Sequence, residues 1–234
     1  MTQVPRPQLG DTPNDIAIQA SAGDGGRITA IVSAIALLFS AYSLWDSSLK
    51  APDLKVFVPP VIQYSSPYNN SNFEVFAVPV TIINDGGRTG TVLSIDLEVS
   101  AIDGGEPKRF YAADLGRWSM EKTRTNAYPP FAPISLAGKA SRTETLLFYP
   151  KSDKEKPEQL VGKPGKFRFK LNLDEAEAED FGYLDRLWPR RPVSVGFDME
   201  LRYFDARAFQ SGTLPMHSLS GRSARSGEDA NPRK

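Results

Sequence analysis

From Ile28 to Trp45 the chain reads ITAIVSAIALLFSAYSLW, 18 consecutive residues without a charge, bounded by Arg27 and Asp46. As a helix this run is roughly 27 Å long at about 1.5 Å per residue, close to the ~30 Å hydrocarbon core of a bilayer. Tyr42 and Trp45 lie at its C-terminal end, where amphipathic rings favour the headgroup layer. A helix satisfies its own backbone polar groups, which lipid demands. Three readings compete: a retained single-pass signal-anchor helix over residues 27–46, a signal peptide cleaved after Ser43, and a buried core helix. Ala41-Tyr42-Ser43 offers the small residues a signal peptidase needs. Against cleavage stand a long leader and only Arg6 and Arg27 as cations before the apolar run. The retained anchor is preferred. Residues 1–26, rich in Pro, Gly, Asp and Gln, read as a disordered leader.

Arg6 and Arg27 precede the span while Lys50 and Lys55 follow it, so the positive-inside count is a tie. A short leader followed by a large C-terminal domain is the usual signal-anchor layout. That analogy places residues 46–234 outside the cytoplasm, as the periplasmic or extracytoplasmic part of a bacterial inner-membrane protein. Within the span, Thr29, Ser33, Ala36, Ser40 and Ser43 are spaced alternately four and three apart. Small residues let helix backbones approach, and a 3.5-residue average suits a left-handed pair. The seam is a candidate for helix–helix association; the plainer reading is that small residues are common in membrane helices.

Composition removes whole classes of chemistry. The 234 residues contain no cysteine and one histidine, His217. Thiolate nucleophiles, disulfides, Fe–S clusters and cysteine zinc sites are excluded, and a Ser–His–Asp triad is not expected. The 28 basic and 28 acidic residues cancel, so no net charge steers the chain to nucleic acid.

Beyond Lys50 the apolar period is two. Phe76, Val78, Val80 and Ile82 alternate with Ala77, Pro79 and Thr81. The same alternation marks strands over 91–100, 165–173 and 194–203, with further strands at 54–58 and 141–149 and a short one at 108–112. Turn signals such as Asn84-Asp85-Gly86-Gly87 and Asp103-Gly104-Gly105 separate the runs. Short strands with one wet face and no long helical period predict an all-β domain over residues 50–205, an antiparallel two-sheet sandwich. Residues 206–234, polar and rich in Gly, Ser and Arg, read as a disordered tail containing His217.

The run Val78-Pro79-Val80-Thr81-Ile82-Ile83-Asn84-Asp85-Gly86-Gly87 resembles the strand-to-turn signature of immunoglobulin-like domains of bacterial surface and membrane-anchored proteins. Pro133-Ile134-Ser135-Leu136-Ala137-Gly138-Lys139, leading to Leu147-Phe148-Tyr149-Pro150, is similar to their middle strands. The resemblance covers residues 54–205 and departs from the antibody type in lacking a cysteine pair. It implies an immunoglobulin-like antiparallel β-sandwich preceded by a single transmembrane helix. It also implies adhesion, assembly or scaffolding, and assigns no particular task.

Charge offers a check on strand order. If the 165–173 strand lies between 91–100 and 194–203, its outward Lys166, Arg168 and Lys170 face Asp96 and Glu98 on one side and Asp198 and Glu200 on the other. The basic stripe is then neutralised by its own sheet, and no nucleic-acid partner is expected. Pro79 counts against a central strand, since proline belongs at an edge or bulge.

The segment 174–192 is long for a connection between adjacent strands. Asp174, Glu175, Glu177, Glu179 and Asp180 open it; Phe181, Leu184 and Trp188 follow at helical spacing, then Arg190 and Arg191. These ten residues are the candidate partner-contact loop, aromatics within a charged rim. The plainer alternative is a solvated helix start whose aromatics cap the core. The acids lack the D-x-D-x-D-G form of a calcium loop, and no metal or cofactor is expected. Ser47–Lys50 and Ser119–Lys122 match S-x-x-K without the accompanying elements. A second excursion, 117–131, carries Trp118 and Tyr128. The resulting expectation is a non-enzymatic membrane-anchored protein, held in the bilayer through residues 28–45. It binds an unidentified protein at the cell envelope, with the helix seam as a candidate route to a homo-oligomer. The rivals are an envelope enzyme using loop carboxylates and an exported binding module released by signal cleavage.

Overall fold

The computed structural model describes residues 25–67, 74–116, 129–151, 159–176, 192–202 and 213–227. Two compact units divide between Tyr42 and Ser43. The first contains most of helix α1 (Gly25–Leu44). Its apolar side chains are exposed all round, including Ile31, Leu37, Leu38 and Phe39 at 60–70%. Nothing in this helix covers them.

The second unit begins with the last turn of the apolar segment, which passes into a π-helical turn, Trp45–Leu49. Eleven strands follow: β1 (Leu54–Val58), β2 (Val61–Ser65), β3 (Val75–Asn84), β4 (Gly90–Ala101), β5 (Lys108–Leu115), β6 (Ile134–Leu136), β7 (Ser141–Pro150), β8 (Gly165–Glu175), β9 (Ser194–Leu201), β10 (Thr213–Ser218) and β11 (Ala224–Arg225). All form one sheet, and its path β3-β2-β10-β9-β8-β4-β5-β7 is closed by antiparallel pairing of β7 with β3. The domain is therefore a closed eight-stranded antiparallel barrel with three extra strands, and the expected immunoglobulin-like sandwich is overturned. A sandwich core and a barrel interior demand the same inward alternation along each strand. What separates them is whether the outermost strands find each other, and here β7 and β3 pair over eight residues from Phe76↔Phe148 to Ile83↔Ser141.

Each extra strand continues a neighbour along a shared edge. β1 and β2 both lie on β3, with Leu54 opposite Asn84 and Tyr64 opposite Phe76. Pro59-Pro60 sits between them, where missing N–H groups interrupt the ladder. Pro79, on β3, falls opposite this break, between Ala77 facing Gln63 and Thr81 facing Phe57. That is the irregular position proline requires. In the same way β5 and β6 share β4, while β10 and β11 extend along β2 and β1.

The closing stave came from the segment read as a disordered tail. β10 pairs β2 from Thr213↔Ser65 to His217↔Val61, and β9 through His217↔Glu200. Leu214 and Met216 are buried while Pro215 is exposed. Two inward residues in a polar stretch are too short a period to read without the neighbours. β8 does lie between β4 and β9, as the charge pattern required: Glu98 faces Lys170, Lys166 faces Glu200, and Arg168 reaches Asp198 at 3.1 Å.

The interior is filled by side chains. Phe76 meets Phe110 and Phe169 edge-on at 5.0 and 5.3 Å, Phe169 stacks on Phe197 at 5.2 Å, and Tyr64 lies 5.3 Å from Phe76. Offset and edge contacts of this kind add about 0.5–1.5 kcal/mol per pair beyond area burial. A smaller cluster, Val75, Ala77 and Leu147, is buried on the opposite face of β3 and β7. Phe76 is the centre of the aromatic chain, so Phe76→Ala is expected to lower stability by about 3–5 kcal/mol. Denaturant unfolding of the full chain in detergent measures it; a loss below about 1 kcal/mol would show that the ring chain is dispensable.

Candidate functional site

Two polar centres lie at opposite ends of the barrel. β3 starts at the distal end and finishes at the end occupied by Asp46–Asp53, here called the root end.

At the distal end Glu74, just before β3, is fully buried. A buried carboxylate is costly unless its lone pairs are satisfied, and both oxygens are. Oε1 accepts from Val161 N at 2.7 Å and Tyr64 Oη at 3.0 Å; Oε2 accepts from Lys108 Nζ at 2.6 Å and Leu160 N at 2.9 Å. Tyr64 shares its hydrogen with the Val161 carbonyl at 3.2 Å. Burial first, and then the Glu74 charge, push the Tyr64 phenol well above its ordinary value. The phenol stays protonated and donating. A saturated, closed carboxylate beside such a phenol has no open position for a reacting atom. It pins Leu160 and Val161 over the core.

At the root end the buried centre is Asn84, also without exposure. Its Oδ1 accepts from Asp53 N at 3.2 Å and Gly86 N at 2.9 Å. Its Nδ2 donates to the carbonyls of Arg88 at 2.8 Å and of Leu136 and Ala137, both at 3.2 Å. One side chain thus ties together the entry to β1, the β3–β4 turn and the β6–β7 turn. Three glycines let the backbones close up. A Cβ at Gly86 would strike the Ala51 carbonyl, one at Gly87 the Asp46–Ser48 backbone, and one at Gly138 the Gly87 carbonyl. Lys139 takes a positive φ of 61°, turning the chain back.

An ion network surrounds this turn. Lys139 Nζ lies 2.9 Å from Asp46 and donates to the Asp85 carbonyl at 3.0 Å. Lys50 Nζ donates to the same carbonyl at 3.1 Å. Lys55 is hydrogen-bonded to the Asp85 carboxylate. That bond is the largest reason the Asp85 carboxyl is held below the ordinary carboxylate range, with burial opposing it. It equally raises the Lys55 ammonium.

A shallow depression of about 150 Å³ outside the barrel is lined by Asp96, Leu97, Glu98, Arg109, Lys151 and Asn172. Its charges face one another across β4, β5 and β8, with Asp96 and Lys151 3.9 Å apart. Among the described residues no group of three or more His, Asp or Glu side chains is placed to hold a metal ion.

Of the expected contact loop, Asp174 and Glu175 are the last residues of β8; Glu177, Glu179, Asp180, Phe181, Leu184, Trp188, Arg190 and Arg191 lie outside the described residues. So do residues 1–24 of the 1–26 leader, whose last two residues, Gly25 and Gly26, instead begin α1, together with Trp118, Tyr128 and the Ser119–Lys122 match. The ends of the loop are placed, however. Glu175 faces Val92, and Ala176 N donates to the Thr91 carbonyl at 2.8 Å, next to Gly90, which packs on Pro52 and Leu54. The β8–β9 connection therefore leaves from the root end, as does the β5–β6 connection after Gly116. Thr29, Ser33, Ala36, Ser40 and Ser43 all lie on α1, where Ser40 Oγ donates to the Ala36 carbonyl at 2.9 Å. Sequence reasoning missed Glu74, Asn84 and Gly138 as structural centres. Asn84 and Gly86 carried a turn signal, but nothing local announced which backbone would pack on them.

No protein-family model matches the chain, and a comparison with curated proteins finds no match.

Asn84→Ala removes five hydrogen bonds and leaves buried donors and carbonyls unmet; a loss of about 3 kcal/mol or more is expected, read by denaturant unfolding. Asp85 has a lowered folded pKa, so its contribution is present above the unfolded carboxylate pKa and disappears as pH falls through the folded value. A Tm series from neutral to about pH 2 should therefore fall less steeply for Asp85→Asn than for the natural chain. Parallel acid limbs would remove Asp85 from the network's energetics.

Proposed function

We propose that this is a single-pass membrane protein whose β-barrel is held at the membrane surface and acts there by binding another protein. The observation that carries the reading is the helical segment Gly26–Leu49, 24 residues long and on balance apolar, whose apolar stretch is not buried among the described residues. Left in water, so continuous an apolar surface would be an aggregation site; in a bilayer it is matched to its solvent. Retention of the anchor is supported by local structure. Residues 41–44 are helical and 45–49 continue as a π turn, whereas a peptidase needs extended chain at the bond it cuts. Recognition is directed to the outside of the barrel because the interior is occupied by core side chains. The β8–β9 segment, with Phe181, Leu184, Trp188 and its charged rim, remains the proposed contact element. The Thr29–Ser43 seam is the proposed route to self-association.

Placement of the barrel outside the cytoplasm of a bacterial inner membrane rests on the signal-anchor layout. A C-terminal alkaline phosphatase fusion, with fractionation and N-terminal sequencing, tests anchor and sidedness together. Activity in the carbonate-resistant membrane fraction with an intact N-terminus is expected. A soluble product starting after Ser43 would replace the anchor with an exported module, and a stable but inactive membrane-bound fusion would move the barrel to the cytoplasm.

A further inference from the structure

We infer that the root end of the barrel, formed by the turns Asp85–Arg88 and Ala137–Lys139, is a contact surface for phospholipid headgroups; this rests on the membrane-anchor reading above. The argument is one of distance. The apolar run closes at Trp45, the helical span ends at Leu49, and only Lys50–Asp53 separate it from the start of β1 at Leu54. Lys50, the next residue, already accepts hydrogen bonds from Gly87 N and Arg88 N, both at 3.0 Å. Ala51 lies against Gly86, and the Asp53 amide is bonded to Asn84. Consecutive Cα atoms are about 3.8 Å apart. The headgroup layer on each side of a bilayer is roughly 5–7 Å deep, half the difference between about 40–45 Å overall and about 30 Å of hydrocarbon. A turn bonded to the first residue past the span falls inside that layer. No extended chain is available to lift it out.

The chemistry of this end suits that solvent. Asp46, within the span's C-terminal limits, would bring a bare carboxylate to the edge of the hydrocarbon. Lys139 from the barrel lies 2.9 Å away and neutralises it, with Lys50 at 3.9 Å. Trp45 shares the same turn, at the depth where indole rings prefer to sit. Lys50, Lys55 and Lys139, bonded to Asp46 and Asp85, are still partly exposed, so this end presents ammonium groups to the depth at which lipid phosphates lie.

The chain has no cysteine, so single reporters can be introduced cleanly. Ala137→Cys places one on the exposed root-end turn; Asp103→Cys places one on the exposed β4–β5 turn at the distal end. Each full-length variant would carry an environment-sensitive fluorophore and be reconstituted into phosphatidylcholine/phosphatidylglycerol vesicles containing headgroup spin-labelled lipid. Quenching several-fold stronger at 137 than at 103 is expected. If the protein floats with the vesicles and both positions quench equally, the headgroup surface is wrong while the anchor stands. If the protein does not float, the anchor reading fails and takes this inference with it.

Discussion

The amide of Asn84 is the interaction on which the root of the barrel depends. It is buried, and its five hydrogen bonds run to three separate stretches of backbone: the entry to β1 at Asp53, its own turn at Gly86 and Arg88, and the end of β6 at Leu136 and Ala137. A buried amide left unsatisfied would cost more than the net value of the bonds it makes. The three segments must therefore arrive together. Their meeting fixes where the apolar segment enters, because Lys50 and Ala51 are held by the same turn.

Glu74 does the corresponding work at the distal end, with a charge in place of an amide. Its four donors come from β2, from the start of β5 and from the segment before β8. Between the two centres lies the aromatic chain from Tyr64 to Phe197. Polar side chains locate the ends of the barrel and apolar ones fill its middle. Both centres are saturated with hydrogen bonds from their own surroundings.

The inward set of most strands was legible because alternation has period two wherever one face is buried. Phe76, Val78, Val80 and Ile82 are buried, as are Phe167, Phe169, Leu171 and Leu173. The order β4-β8-β9 was also legible, since opposite charges mark outward neighbours. Closure was not. β2, β6, β10 and β11 are too short or too polar to show a period, and they include the strands that continue or close the wall. The candidate contact loop could be named from composition, yet only its roots at Glu175 and Ser194 acquire a position from the fold.

The sequence alone determined that an uncharged helix long enough for a bilayer precedes a β-rich domain, and which faces of its main strands turn inward. Those are local properties, carried by charge and by periodicity within a few residues. Tertiary structure decided that the sheet closes into a barrel and that residues 213–218 complete it. It also decided that Asn84 and Glu74 are the buried centres. Each depends on which distant segments meet, and hydrogen bonds across 31 to 87 positions of chain leave no trace in local pattern.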